Sequence, residues 1–198
     1  MLDERFVIVG GLVNLALAFT YIWATLKGRV QPNRVTWFIW ALAPMLATAA
    51  ELYQGVGWLA FTTFMSGFPC MLIFLASFLN KKAYWKVSRL DLVCGALALL
   101  GLLLWWKTSV GNWAIAFAIA ADTLGAFPTV IKAYRFPETE SPITFCGGAF
   151  SAAIGLLAIS VWNFESAAFP IYLLVLDLTI ALLVQFKLGK RFKPAHQK

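Results

Sequence analysis

Two carboxyl groups stand where the sequence is otherwise apolar. Asp122 lies nine residues into the stretch from Trp113 to Tyr134, and Asp177 eight residues into the stretch from Phe169 to Leu188. At 1.5 Å per residue both would sit roughly 12 to 14 Å down a helix, near the middle of a lipid bilayer. A charge at that depth costs about 2.5 to 3.5 kcal/mol on insertion scales, so such residues face a bundle interior or a water-filled path. There they bind a substrate or exchange a proton, or else a protonated acid makes a structural hydrogen bond to another helix. Asn14 falls at the same depth in the first apolar stretch and can orient a polar solute or tie two helices together. Ser66 and Cys146, with Cys70 and Ser151, are candidate neighbours lining the same space, although small residues also serve as packing contacts.

Other chemistries lack their residues. The single histidine, His196, is in the tail, and no apolar stretch carries a cluster of metal ligands, so no metal and no haem is expected. Lys187 stands at the edge of the last stretch, which leaves a retinal Schiff base without an anchor. A Ser-His-Asp set and a phosphate-cradling glycine loop are also missing. The expectation is a protein without a cofactor that is not an enzyme.

These groups need elements to position them. The chain is 61% hydrophobic and 13% charged, with a mean hydropathy of +0.79, which leaves too little polar surface to cover a soluble globule. Apolar stretches run from Phe6 to Leu26, Val35 to Leu52, Gly57 to Leu79, Leu90 to Trp106, Trp113 to Tyr134, Ile143 to Val161 and Phe169 to Leu188. At roughly 20 residues per span they fill the chain with an all-α polytopic membrane protein of seven transmembrane helices. Short connections make successive helices antiparallel.

The net charge of +7 suggests nucleic acid until its placement is read. Fourteen of the sixteen Lys and Arg residues fall in the first, third and fifth connections and the tail, and only Arg5 and Lys107 on the other face. That asymmetry predicts an outside amino terminus and a cytoplasmic carboxyl terminus, with the bilayer and not nucleic acid as the partner. Phe6 to Leu26 follows Asp3 and Glu4 and is long for a cleaved signal, so it reads as the first span. Cys70, Cys94 and Cys146 are an odd number inside spans and imply no disulfide framework. Trp58, Trp85, Trp105, Trp106, Trp113 and Trp162 cluster near span ends as an interfacial belt, while Trp37 and Trp40 either line a gate or face lipid.

A shift of 108 residues superimposes spans one to three on spans five to seven without a gap, leaving span four as a linker. Asn14 then meets Asp122, Lys27 meets Arg135, Val35-Thr36-Trp37 meets Ile143-Thr144-Phe145, and Lys82 meets Lys190. Identity is only ten of 77 positions, so the matching boundaries carry the repeat. An odd linker makes the two halves parallel, related by an axis along the membrane normal with the binding cavity between them. The expected organisation is two parallel three-helix bundles joined by a linker helix (3+1+3): residues 1–82, linker 83–110, residues 111–190, and a basic tail 191–198. Whether copies join as a homo-oligomer stays open.

The run from Asp122 to Arg135 (DTLGAFPTVIKAYR), followed by Glu140 to Phe145 (ESPITF), resembles the signature of the PQ-loop superfamily, which includes SWEET sugar facilitators and lysosomal amino-acid exporters. The resemblance implies a seven-helix transporter of a small polar solute working by alternating access. Two positions depart from the pattern: Thr129 stands for the motif Gln, and Thr20 for the first-half proline. Family prolines bend helices during the cycle, so the resemblance assigns a hinge to Pro128, with Pro44 and Pro69 supplying bends in the first half; a static kink is the alternative. Proton coupling through the acids, a passive sugar or vitamin facilitator, and a non-transporting receptor or scaffold of the same fold are the competing expectations.

Overall fold

The computed structural model describes residues 6–53, 57–108 and 111–191. The acids Asp3 and Glu4, Arg5, and the tail from Phe192 with Lys193, His196 and Lys198 lie outside them, as does the side chain of Trp58. The described residues are helical, with no strand among them: α1 Phe6–Leu26, α2 Arg34–Tyr53, α3 Gly57–Ala76, α4 Arg89–Thr108, α5 Gly111–Arg135, α6 Pro142–Leu157, α7 Phe164–Phe186 and a short α8 Leu188–Arg191. Four helical segments are long and apolar enough to cross a membrane, Phe6–Leu26, Arg89–Lys107, Ile115–Arg135 and Ser166–Phe186; Thr63–Ala76 and Pro142–Leu157 are shorter apolar helices.

Helix ends follow local chemistry. Beyond α1 the chain turns at Gly28, whose φ of 69° is left-handed, and the Arg29 amide reaches back to the Ala24 carbonyl at 2.9 Å. α7 begins five residues before the apolar pattern, because Asn163 caps it: its side chain accepts from the Ser166 amide, while the Ser166 hydroxyl accepts from the Asn163 amide. α6 stops at Leu157, four residues short of its apolar stretch. Two single 3-10 turns, Lys81–Ala83 and Pro137–Thr139, occupy connections that read only as loops.

Burial is the reverse of a water-soluble bundle. Phe19, Trp23, Leu103 and Val175 are more than half exposed, while Thr25, Asn33, Thr36 and Thr129 are fully buried. Large apolar groups on the outside with small and polar groups inside suit lipid as solvent, since helix faces gain nothing there from hiding leucine.

The main contacts close a ring. α1 packs on α3 and α6, α3 on α2, α2 on α5, α5 on α7, and α7 on α6, while α4 lies outside against α5 and α2. Exchanging α1, α2 and α3 with α5, α6 and α7 turns the six-helix ring into itself, and α4 alone departs from that symmetry. Adding 108 to the starts of α2 and α3, 34 and 57, gives 142 and 165, against observed starts at 142 and 164 for α6 and α7.

Hydrogen bonds gather one set of helix ends together. Asn80 Nδ2 donates to the Leu26 carbonyl (2.8 Å), Arg34 Nη2 to the Ser77 carbonyl (2.7 Å), and Asn33 Nδ2 to Asp91 Oδ1 (2.6 Å). At the same end Lys190 pairs with Glu138 at 2.7 Å. Lys27, Lys82, Arg135 and Lys187 flank these groups, which makes this the basic end of the bundle.

Candidate functional site

All six helices of the ring, and not α4, line a central cavity of about 330 Å³. It lies within the range of small-ligand sites. Asn14, Ser66, Asp122 and Asp177 all line it, brought together from α1, α3, α5 and α7. Asn14 stands 12 residues before the end of α1 and Asp122 13 before the end of α5, so the repeat mates enter at matching depth.

Their surroundings differ. Asp122 Oδ2 accepts from the Tyr172 hydroxyl at 2.9 Å and the Trp40 indole at 3.3 Å. Asp177 and Asn14 have no side-chain hydrogen-bond partner among the described residues, and the Asp177 carboxylate lies over the bare backbone of Gly148, where an added Cβ would strike it. Asp177 is within electrostatic reach of Asp122, and Cys70 of both. The Ser66 hydroxyl turns back to the Thr63 carbonyl of its own helix at 2.7 Å.

Cys146 corrects the sequence expectation: it is exposed and does not line the cavity. The lining face of α6 is Thr144, Phe145, Gly148, Ser151, Ala152 and Gly155, a stripe at helical spacing that steps past residue 146. Cys70 is the cavity thiol instead. Trp85 also differs from a simple interfacial anchor, since its ring meets Phe136 edge to face (5.6 Å) and lies 4.8 Å from Lys132 Nζ. Trp106, Trp113 and Trp162 remain largely exposed near helix ends. The bend candidates divide: Pro44 and Pro69 line the cavity, whereas Pro128 is buried in α5 nearer the basic end.

The cavity is shut toward the basic end. Its floor includes Trp37 and Phe145, a second pair of repeat mates, with ring centroids 6.2 Å apart. Tyr21 packs on Trp37 at 5.2 Å. Beneath the floor, Thr129 Oγ1 meets Thr36 Oγ1 at 2.9 Å, the Tyr21 hydroxyl donates to Glu140 Oε2 at 2.6 Å, and Lys132 Nζ pairs with Glu140 Oε1 at 2.6 Å, both side chains of that ion pair being within 1% of full burial. Lys132 also donates to the Gln31 carbonyl. Toward the other end the cavity reaches Val7 and Gly155, close to the far ends of α1 and α6.

No family profile, curated protein or solved structure matches the chain.

Three groups at this site escaped the sequence reading. Tyr172 is one of few polar atoms in its span, and its position five residues before Asp177 was the available signal. In the sequence Lys132 is one basic residue among those near span ends and Glu140 opens the ESPITF run; only the folded chain brings them together under the cavity as a buried pair. Among the described residues no group of His, Cys, Asp and Glu is arranged to hold a metal.

Proposed function

We propose that the chain is a small-solute transporter that works by alternating access, with seven spans in a 3+1+3 arrangement, an outside amino terminus and a cytoplasmic basic end. The observation that carries this reading is a cavity bearing two acids inside a six-helix ring whose ring contacts survive exchange of the two halves, closed by the packed groups at its basic end. Two matching halves around a central site give a cycle in which one end closes as the other opens. In this reading the ring stands closed to the cytoplasm, and the solute meets Asn14, Ser66, Asp122 and Asp177 from the outside.

Opening the basic end requires α1 to part from α6 and α2 from α5, which breaks the Tyr21–Glu140 and Thr36–Thr129 contacts between halves. Pro128, just above Thr129, and Pro44 and Pro69 beside the cavity are where backbone bonds are already absent and bending costs least.

Proteoliposome counterflow tests the reading, with sugars, amino acids, nucleosides and amines offered as labelled solutes. At least one solute should exchange saturably, and Asp122→Asn should slow that exchange by roughly tenfold or more, since it alters a group at the centre of the site. A solute that stabilises the purified protein but never crosses would replace transport with a receptor function.

A further inference from the structure

We propose that the solute is a lipophilic organic cation, an ammonium group carrying an aromatic or branched apolar arm and no carboxylate. The proposal rests on the transport reading and names the substrate class of the same site.

The charge argument comes first. Among the described residues, the ionisable side chains lining the central cavity are Asp122, Asp177 and the Cys70 thiol, with no Lys, Arg or His beside them. The hydrogen bonds to Asp122 come from neutral donors, Trp40 and Tyr172, and Asp177 has none among the described residues. Two carboxyl groups that line one cavity are compensated by a cation placed between them. A zwitterionic amino acid would bring its own carboxylate beside both acids with no lining cation to meet it. A sugar would leave the acids uncompensated. Trp37, Trp40 and Phe145 also line the cavity, aromatic rings of the kind that attract an ammonium by cation–π interaction.

A second cavity supplies the arm. It holds about 240 Å³, and its lining residues Ile39, Ala43, Ala47, Leu102, Trp105 and Ala118 are apolar apart from the Trp105 indole N–H. It shares Pro44, Asp122 and Phe169 with the central cavity, so Asp122 borders both the chamber that holds the acids and an apolar annex. The annex is closed on one side by Leu102 and Trp105 of α4, the helix that has no counterpart in the repeat. An ammonium held at Asp122 therefore has an apolar space beside it, one side of which is formed by α4.

The test uses the full-length purified protein, with binding read by calorimetry and uptake by proteoliposomes, for phenylethylamine, methylammonium, arginine, phenylalanine and glucose. Phenylethylamine should bind and be carried, with an affinity roughly tenfold or more above methylammonium from burial of its ring. Ala118→Phe and Ala47→Phe, which fill the annex from α5 and α2, should each erase that advantage and leave methylammonium unchanged, and Asp177→Asn should weaken both amines. The unchanged methylammonium arm shows that the annex variants are folded. Binding of glucose or phenylalanine in place of the amines overturns the substrate class while leaving transport intact. Phenylethylamine binding that neither annex variant alters overturns the annex assignment and points to a lipid acyl chain there. Amine binding without uptake of any solute keeps the cation site and removes the transport reading.

Discussion

At the residue scale the site depends on one absent side chain. Asp177 reaches into the cavity across Gly148, and a methyl group at that position would overlap the carboxylate. Gly148→Ala is expected to swing Asp177 aside and cut uptake of whichever solute the parent carries by about tenfold or more, the scale of a misplaced binding group. Gly155→Ala, on the same face of α6 but facing open space, should behave like the parent. Uptake in matched proteoliposomes decides this, and equal loss in both variants would remove Asp177 from the site. That Asp122, Asp177 and Asn14 face a shared interior was legible in the sequence, because a polar residue in a long apolar stretch is costly against lipid. What could not be read was the partner of each: Tyr172 and Trp40 meet Asp122 across helices separated by 50 and 82 residues.

At the element scale two ion pairs close the basic end, and they differ by burial. Lys132–Glu140 is shut away from solvent, whereas Lys190 and Glu138 are 52% and 51% exposed. Glu140→Gln leaves Lys132 charged and buried, so it should lower stability by about 3–5 kcal/mol. The Lys190 ammonium holds the Glu138 carboxyl below its usual range, and such a contact stabilises at neutral pH and is lost as pH falls through the folded-state value. Solvent screens that pair, so Glu138→Gln should cost at most about 1 kcal/mol. Thermal unfolding of both variants in the same detergent compares them; an equal shift would contradict the difference in burial. Helix positions followed from apolar runs to within a few residues except around residues 158–168, where the cap at Asn163 outweighed hydrophobicity. The stripe on α6 needed knowledge of which face looked inward, and without it Cys146 was placed wrongly.

At the scale of the whole molecule, the sixteen basic residues set an orientation that can be measured. With Cys70, Cys94 and Cys146 replaced, Lys82→Cys should react with an impermeant thiol reagent only from the cytoplasmic side, and Ser160→Cys only from outside, both positions being exposed at opposite helix ends. The reverse labelling would invert the topology and the side to which the cavity opens. By itself the sequence determined that the chain is helical and apolar, where its helices lie and which acids fall inside them, because these follow from composition and local periodicity along the chain. Its offset of 108 residues relates the starts of α2 and α3 to those of α6 and α7 within one residue. Only the tertiary structure decided that six helices close a ring, that α4 stands outside it beside an apolar annex, and that Tyr21, Lys132 and Glu140 seal one end. Those facts depend on which faces meet between segments far apart in the chain, and an apolar alphabet in which nearly every face is hydrophobic carries almost no record of that choice.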